Sequence, residues 1–261
     1  MKEKLNKVWS HNKLITSNYK QHTETSSQPG GTATLVVDKW VSSVCDSGSD
    51  LAGRWTWTTL QGCKGRKVTF SSAYRPCKNA LATAGPSTAL MQQWKYYRKR
   101  GTENPDPHTL FTNALQNCLE SQLDKGHEVV LSLDANENLK DGSPLLSMLG
   151  DLNLLNAHAH LHPALNPPAT YQRGTECIDY MFISPGLLPA LTKAGFLPYH
   201  STMYSDHCAL WADFDPSIMF LGEKGTVLDT ASRKLISTNP CARKKYIKLL
   251  QTMFKAHNIF T

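Results

Sequence analysis

The sequence contains no run of apolar residues approaching the ~20 that a membrane-spanning helix requires. Its first residues, MKEKLNKVWSHNKL, are charged and include no apolar core, so they do not resemble a secretory signal. The seven cysteines are odd in number and scattered, without a Cys-x-x-Cys pair. That spacing argues against a disulfide framework or a zinc module and favours reduced thiols. We therefore expect an intracellular protein that is not secreted, with the nucleus among its candidate locations.

The chain also lacks internal repeats, and its composition is ordinary for a globular protein. Of its 261 residues, 40% are hydrophobic and 19% are charged, which is enough for a sizeable core. The net charge of +7 is placed unevenly. Residues 1–29 carry five Lys and two Glu, and residues 222–261 carry eight Lys or Arg and two acidic residues, whereas the body is nearly neutral. Basic flanks suit a polyanion such as nucleic acid, or they are solvated helices and tails, and the charge alone leaves both open.

Differences in composition and the positions of loop-forming residues divide the chain into three parts. Residues 1–29 are predicted to be a basic N-terminal remnant or linker, because they run into the polar stretch QHTETSSQPGG. Residues 30–221 are predicted to form one domain. Residues 222–261 are predicted to be a basic helical connector, since NPCARKKYIKLLQTMFKAHNIF has apolar residues at helical spacing.

Strands alternate with helices in the central part. Apolar residues at helical spacing predict helices over 88–101 and 105–126. Strands are predicted from β-prone or alternating apolar residues over 32–37, 53–62, 67–76, 129–133, 177–184 and 208–214. The second and third of these strands should pair as antiparallel neighbours. Because adjacent strands are often joined by hairpins, an α/β fold with a mixed sheet fits better than a doubly wound parallel sheet.

Polar clusters lie at the ends of these strands, where a rigid scaffold can present reacting groups to a cleft. The clusters are Tyr74-Arg75, Asp134 with Asn136, Asp179, and Asp206-His207. Most have ordinary alternatives, such as a strand-end aromatic, a turn former or a helix N-cap. Asp179 is different, because it lies inside the apolar stretch CIDYMFI, where a carboxylate is costly to bury unless it is paired or holds a cation.

In their order along the chain, these clusters resemble motifs of the endonuclease/exonuclease/phosphatase superfamily, which includes deoxyribonuclease I, abasic-site endonucleases and the endonuclease domains of non-LTR retrotransposons. GGTATLV (30–36) is similar to the family's glycine pair, YRP (74–76) to the retroelement form of its tyrosine motif, and LDANEN (133–138) to its Gly-Asp-x-Asn. TYQRGTECIDYMFIS (170–184) looks like its threonine-to-Ile-Asp-Tyr segment, and SDH (205–207) like its closing signature. The resemblance implies a four-layer α/β/β/α sandwich of two mixed β-sheets flanked by helices, here without its first strand and helix.

The same resemblance implies hydrolysis of a phosphodiester with Mg²⁺, or with Mn²⁺ in its place, in nucleic acid and most favourably in DNA. Asp134 would orient or deprotonate the attacking water, and Asn136 would hold the phosphate or that aspartate. His207 would contact the phosphoryl oxygens. Asp179 would pair with His207, fix its tautomer and raise its pKa so that the imidazole stays cationic near phosphate.

Four further residues receive roles from the resemblance. Tyr74 would donate a hydrogen bond to a phosphate oxygen, and Asp206 would lie at the metal site. Arg75 and Arg173 would bind nucleic acid. DNA is favoured by the retroelement form of YRP, although relatives also cut RNA, abasic sites and phosphoinositides.

The sequence departs from the family at its main metal ligand, a glutamate expected at the end of an early apolar strand before the Gly-Gly segment. That region contains only Glu3 and Glu24, and neither follows an apolar run. We therefore expect a partial domain with weakened metal binding. Two functions remain open: an endonuclease, or a catalytically impaired remnant that only binds nucleic acid. The C-terminal segment resembles the start of a connector to a further domain, such as a reverse transcriptase in a longer parent protein.

A third hypothesis concerns the row of histidines in AHAHLHP. His158, His160 and His162 alternate and would share one face if the segment were extended. Such a row can bind zinc, and His-x-His opens the metal site of amidohydrolases. Those enzymes carry it on an early strand of a barrel, however, and this chain shows no barrel-like repeat. A loop near the cleft or a solvated edge is the competing interpretation.

Overall fold

The computed structural model describes residues 11–18, 30–77, 85, 88–201 and 205–222, together with positions 244, 247, 248 and 251. The chain forms two compact units, residues 1–226 and residues 227–261. The four described positions of the second unit have helical backbone. Most of the predicted C-terminal connector lies outside the described residues. None of the helices in the described ranges is long and apolar enough to cross a membrane.

A six-stranded mixed sheet forms the centre of the first unit. Its strands are β3 (Val44–Ser49), β4 (Trp55–Gln61), β5 (Lys67–Tyr74), β6 (Glu128–Asp134), β7 (Leu155–Asn156) and β8 (Asp179–Ile183), in the spatial order β3-β4-β5-β6-β8-β7. β4 and β5 pair antiparallel, as predicted, because a short loop joins them. β5 and β6 are parallel, so a crossover connection must separate them.

Helices supply that crossover and cover one face of the sheet. They are α1 (Ala89–Arg98), α2 (Pro107–Leu123) and, after β6, α3 (Pro144–Asp151). Each begins at a side chain that accepts a hydrogen bond from a backbone N–H of the first turn. These N-caps are Thr88, Asp106 and Ser143. The apolar face of α2 and its neighbours forms a fully buried core of Phe111, Leu115, Leu119, Leu131, Leu145 and Leu149.

The opposite face of the sheet carries a second β layer. It consists of β1 (Asn12–Ser17) paired antiparallel with β2 (Thr32–Val37), and β9 (Leu191–Leu197) paired antiparallel with β10 (Ala209–Phe214). Two short helices accompany it, α4 (Ala157–Leu161) and α5 (Pro216–Met219). The predicted fold class, a layered α/β sandwich, is confirmed. In the described residues the second layer is two separate two-stranded sheets rather than one continuous sheet.

Two segments differ from the sequence analysis. β1 lies within residues 1–29, which were predicted to be a remnant or linker; its short, partly polar sequence NKLITS becomes a strand because it pairs with β2. The histidine row is not extended. It forms helix α4, whose N-terminus is capped by the Asn156 side chain accepting from the Ala159 N–H at 3.1 Å. Helical geometry therefore brings His158 towards His162 and leaves His160 exposed on another face.

Candidate active site

Three neighbouring strands place polar side chains in one row. Tyr74 is the last residue of β5, Asp134 is the last of β6, and Asp179 is the first of β8. The strand register pairs Tyr74 with Asp134, and Asp134 with Asp179. Directly paired residues project to the same face of a sheet. The sheet therefore sets a phenol and two carboxylates side by side at the end of its central strands.

His207 joins this row from the segment before β10. Its Nδ1 donates a hydrogen bond to Asp179 Oδ2 at 2.8 Å, which leaves Nε2 as the nitrogen that can meet a substrate. The backbone of His207 bridges to Tyr171, and the two ring centroids lie 5.2 Å apart. Thr170 fixes the other partner, because its Oγ1 accepts from the backbone N–H of Asp179 at 3.1 Å. The pair is thus held from both sides.

Burial and the Asp179 carboxylate act in the same direction on the pKa of Asp134, but in opposite directions on the pKa of His207. Burial and the nearby Asp179 carboxylate raise the pKa of Asp134 to about 7. The hydrogen bond to Asp179 raises the pKa of His207 above its ordinary value, although burial opposes it. Burial also raises the pKa of Tyr74, so its hydroxyl remains a donor at neutral pH. The site therefore offers an imidazole whose protonated form is favoured by Asp179 and a carboxyl that titrates near neutrality.

Asn136 connects the end of β6 to the end of β5. It adopts a left-handed backbone conformation (φ 50°), and its N–H donates to Asp134 Oδ1 at 3.1 Å. Its side-chain amide donates to the carbonyl of Arg75 at 2.6 Å and accepts from the Cys77 thiol at 3.1 Å. Asparagine tolerates the left-handed region better than most residues, which suits it to this tight turn. Asn136 thereby fixes the orientation of the Asp134 carboxylate.

Three of these groups could hold a metal ion. One ligand atom each from Asp134, Asp179 and His207 lies within 4.8 Å of the others. Carboxylate oxygens are the ligands that Mg²⁺ and Mn²⁺ prefer, and a bound cation would offset both the burial of the Asp134 carboxylate and its repulsion from Asp179. Within the described ranges no glutamate joins the group, and Glu3 and Glu24 lie outside those ranges.

The zinc hypothesis for the histidine row finds no support in the part of the chain that the structure describes. The rings of His158 and His162 lie 4.8 Å apart, but His162 Nε2 is hydrogen-bonded to the carbonyl of Ala194 at 3.0 Å. No third ligand stands with them among the described residues, because Asp134, Asp179 and His207 form the one cluster of three. The row instead packs beside β9, where His158 contacts Phe196.

Five predicted site residues lie outside that cluster: Tyr74 and Asn136, which border it as described above, and Asp206, Arg75 and Arg173. Asp206 is exposed and not within its ligand distance, although its charge raises the pKa of both Asp134 and His207. Arg75 is only 5% exposed, and its guanidinium pairs with Glu137 at 2.6 Å, so its observed partners are within the protein. Arg173 is exposed in the loop before β8. The catalytic and binding roles of all these residues remain predictions.

Sequence analysis assigned no role to three residues that organise the site. Thr170 is fully buried, and it orders the start of β8 through the N–H groups of Ile178 and Asp179. Glu137 forms a salt bridge with Arg75, and the Cys77 thiol donates a hydrogen bond to the Asn136 side chain. Thr170 is the first residue of the TYQRG segment, so the sequence drew attention to its position. Its hydrogen bond to the backbone eight residues later could not be predicted from the sequence. Glu137 and Cys77 carried no sequence signal beyond lying next to the motifs.

Solved structures with a similar fold include AP endonucleases and a phosphatase. An AP endonuclease from Leishmania major matches with a TM-score of 0.54 and 14% identity over 78% of this chain and 70% of that one. The 3′ phosphatase NExo from Neisseria, solved with a product DNA hairpin, matches with a TM-score of 0.52 and 18% identity over 79% of this chain and 80% of that one. An AP endonuclease from Archaeoglobus fulgidus matches with a TM-score of 0.51 and 13% identity over 79% of this chain and 80% of that one. No protein-family model and no curated protein matches the sequence. At these identities the likeness establishes the fold alone.

Proposed function

From the premise that the chain has the endonuclease/exonuclease/phosphatase fold, we propose that it is a divalent-metal-dependent phosphodiesterase of retroelement type that acts on nucleic acid, with DNA as the favoured substrate. One observation carries the proposal: two strand ends and the loop before β10 bring ligand atoms of Asp134, Asp179 and His207 within 4.8 Å of one another. Two carboxylates beside a cationic imidazole are suited to holding a metal ion and a phosphate together. The raised pKa of Asp134, about 7, supports the proposal, because strongly perturbed carboxyl groups cluster at functional sites.

Each residue then has a defined task. Asp134 and Asp179 provide oxygen ligands for Mg²⁺ or Mn²⁺, and the exposed Asp206 lies near enough to contribute charge. Such a cation, when bound, would neutralise the phosphate and stabilise charge on the leaving oxygen. Asp134 also orients the attacking water, because Asn136 fixes its carboxylate. His207, kept cationic by Asp179, meets a phosphoryl oxygen through Nε2.

Tyr74 completes the phosphate contacts. Its hydroxyl stays protonated at neutral pH because burial raises its pKa, so it can donate to a phosphate oxygen. For Arg75 we propose a role other than the nucleic-acid contact that the resemblance implied. Its guanidinium is buried against Glu137, and its backbone N–H donates to the carbonyl of Asp134 at 2.9 Å. It therefore positions the Asp134–Asn136 turn, while the exposed Arg173 remains the candidate for direct nucleic-acid contact.

A second candidate function is supported by the composition of the metal site. Only two carboxylates lie in the cluster, and no glutamate joins them among the described residues. Fewer anionic ligands mean weaker cation binding, so the chain could bind nucleic acid without cutting it. Under either function, residues 30–221 would be the nuclease-like domain. Residues 222–261 would connect it to a reverse transcriptase domain in a longer parent protein.

Nicking of supercoiled plasmid by the purified chain tests the first function. We expect nicked circles with Mg²⁺ or Mn²⁺, none with EDTA, and loss of nicking in His207→Ala. His160→Ala is the matched control, because that histidine is exposed on α4 and takes no part in the site. Plasmid binding without nicking by the folded chain would favour the impaired remnant, and equal nicking by both variants would contradict the assignment of His207.

A further inference from the structure

The end of the sheet that carries the site continues onto the loop before β4. Leu51, in this loop, is 76% exposed, the largest value among the described large hydrophobic residues. The loop is held firmly, because the Asp50 carboxylate accepts from the Arg54 side chain at 2.7 and 2.9 Å and from the Ala52 N–H at 3.0 Å. The Leu51 side chain therefore stands largely in solvent on an ordered loop, where a partner can contact it.

This loop adjoins the site directly. The carbonyl of Arg54 accepts the N–H of Tyr74 at 2.8 Å. A small cleft is lined by Gly53, Tyr74 and Ala89, the first residue of α1. The Leu51 loop, the Tyr74 side chain and the start of α1 are therefore neighbours at this end of the sheet.

The other end of α1 is strongly basic. Arg98, Lys99 and Arg100 are consecutive and exposed, and none has an acidic partner among the described residues. Two of the guanidinium groups lie over aromatic rings: Arg100 is 3.6 Å from the centroid of Tyr96, and Arg98 is 5.3 Å from that of Trp94. Stacked guanidinium groups lose less freedom when they bind phosphate, so this turn is preorganised for a polyanion.

α1 remains at the same end of the sheet along its length. Its first residue touches the cleft beside Tyr74, and Tyr97 near its last residue accepts a hydrogen bond from Arg54, the residue before β4. Ten helical residues span about 15 Å at 1.5 Å per residue. That length is close to the ~12 Å width of a B-DNA major groove. The basic turn therefore lies about one helix length from the cleft beside Tyr74, a separation comparable to the width of a groove.

We propose that Leu51, Arg98, Lys99 and Arg100 form a docking surface for double-stranded nucleic acid, here called the flank surface. The three cations contact phosphates of the strand opposite the cut, and Leu51 enters a base step beside the scissile phosphate as an apolar wedge. The inference rests on the proposed function for its choice of nucleic acid as the partner. It adds the form of the substrate and the residues that bind it.

The competing explanation is that basic residues in the last turn of a helix stabilise its C-terminal dipole and are otherwise solvated. A binding titration distinguishes the two. Affinity for a fluorescent 24-base-pair duplex is measured in EDTA at several salt concentrations, so that no cutting occurs. The test variant replaces Arg98, Lys99 and Arg100 by Ala. The matched control replaces the exposed Lys64, Lys125 and Lys193 by Ala, which removes the same charge at the far end of the strands.

We expect the slope of log affinity against log salt to become less negative by about 2 to 3 in the test variant, since each lost phosphate contact removes about 0.9. The control should change the slope by less than about 1. Equal slopes for the two variants would overturn the proposal, as would a failure of the wild-type chain to bind the duplex. Tighter binding of the matching single strand would overturn the assignment to duplex.

Leu51 is tested separately with 2-aminopurine placed within the duplex. The wild-type chain should increase the fluorescence by unstacking one step, and Leu51→Ala should abolish the increase while keeping the salt slope. Leu165→Ala is the control, because Leu165 is 62% exposed on a different loop. A wild-type increase that persists in Leu51→Ala contradicts the wedge. Since both assays are run without metal, binding at the flank surface can succeed even where nicking fails, so the two proposals are judged independently.

Discussion

Replacement of Asp134 by Asn should stabilise the metal-free chain while removing its activity. The carboxylate of Asp134 is mostly buried beside Asp179, and this raises its pKa from 3.8 to about 7. A bound divalent cation would relieve the repulsion, but without one the ionised form is held in an unfavourable place. Asparagine keeps the shape and the oxygen that accepts from Asn136. The charge, and with it the destabilisation, is lost.

The size of the effect follows from the two pKa values. The difference is about 3 pH units, and each unit corresponds to about 1.36 kcal/mol, so ionised Asp134 lowers the free energy of unfolding by about 4 kcal/mol. Between pH 3.8 and about 7 the folded chain binds more protons than the unfolded chain, so its stability falls as pH rises through that window. Because the pKa of Asp134 also depends on the charges of its neighbours Asp179 and His207, about 4 kcal/mol is an upper limit.

Urea denaturation in EDTA at pH 5 and pH 8 measures this effect. The stabilisation by Asp134→Asn should be larger at pH 8 than at pH 5 by up to about 3 kcal/mol, the part of the window between those values. Asp141→Asn is the control, since Asp141 is exposed in a turn. Adding Mg²⁺ should stabilise the wild-type chain more than Asp134→Asn. If the mutation gives the same small change at both pH values, as the control should, the raised pKa of Asp134 and its origin in burial are refuted.

Three other variants address the supports of the site. Arg54→Met should lower the free energy of unfolding in urea by about 3–5 kcal/mol, because it leaves Asp50 buried without its bidentate partner; a loss below 1 kcal/mol would contradict that role. Thr170→Val keeps the shape but leaves the N–H of Asp179 without its acceptor, so it should cost about 1–3 kcal/mol, checked in the same assay against wild type. Asp179→Asn removes the main cause of the raised pKa of His207, so the high-pH limb of any nicking profile should move to lower pH; an unmoved limb would exclude a requirement for cationic His207.

The fold was largely predictable from local patterns. Alternating apolar residues located β4 and β5, and their short connection predicted the antiparallel pairing that the structure has. Helical spacing located α1 and α2 to within a few residues. These features are encoded by neighbours in the chain, so sequence alone is sufficient. β1 was missed because only its long-range partner β2 makes its polar sequence a strand.

The site was predictable in its members rather than in its geometry. Asp179 was recognisable because a carboxylate in an apolar strand needs a partner, and that partner proved to be His207 at 2.8 Å. The ion pair that buries Arg75 against Glu137 was not recognisable, since nothing local requires it. The histidine row became a helix because Asn156 caps it, although its alternation suggested an extended segment.

By itself, then, the sequence determined which polar residues stand at strand ends and in what order, because turn and strand preferences act over a few residues. Only the tertiary structure decided that Tyr74, Asp134 and Asp179 face one another in register and that His207 closes the row. Distances, burial and the raised pKa of Asp134 depend on segments far apart in the chain. They are set when the sheet assembles, since strand register and desolvation are properties of the packed whole.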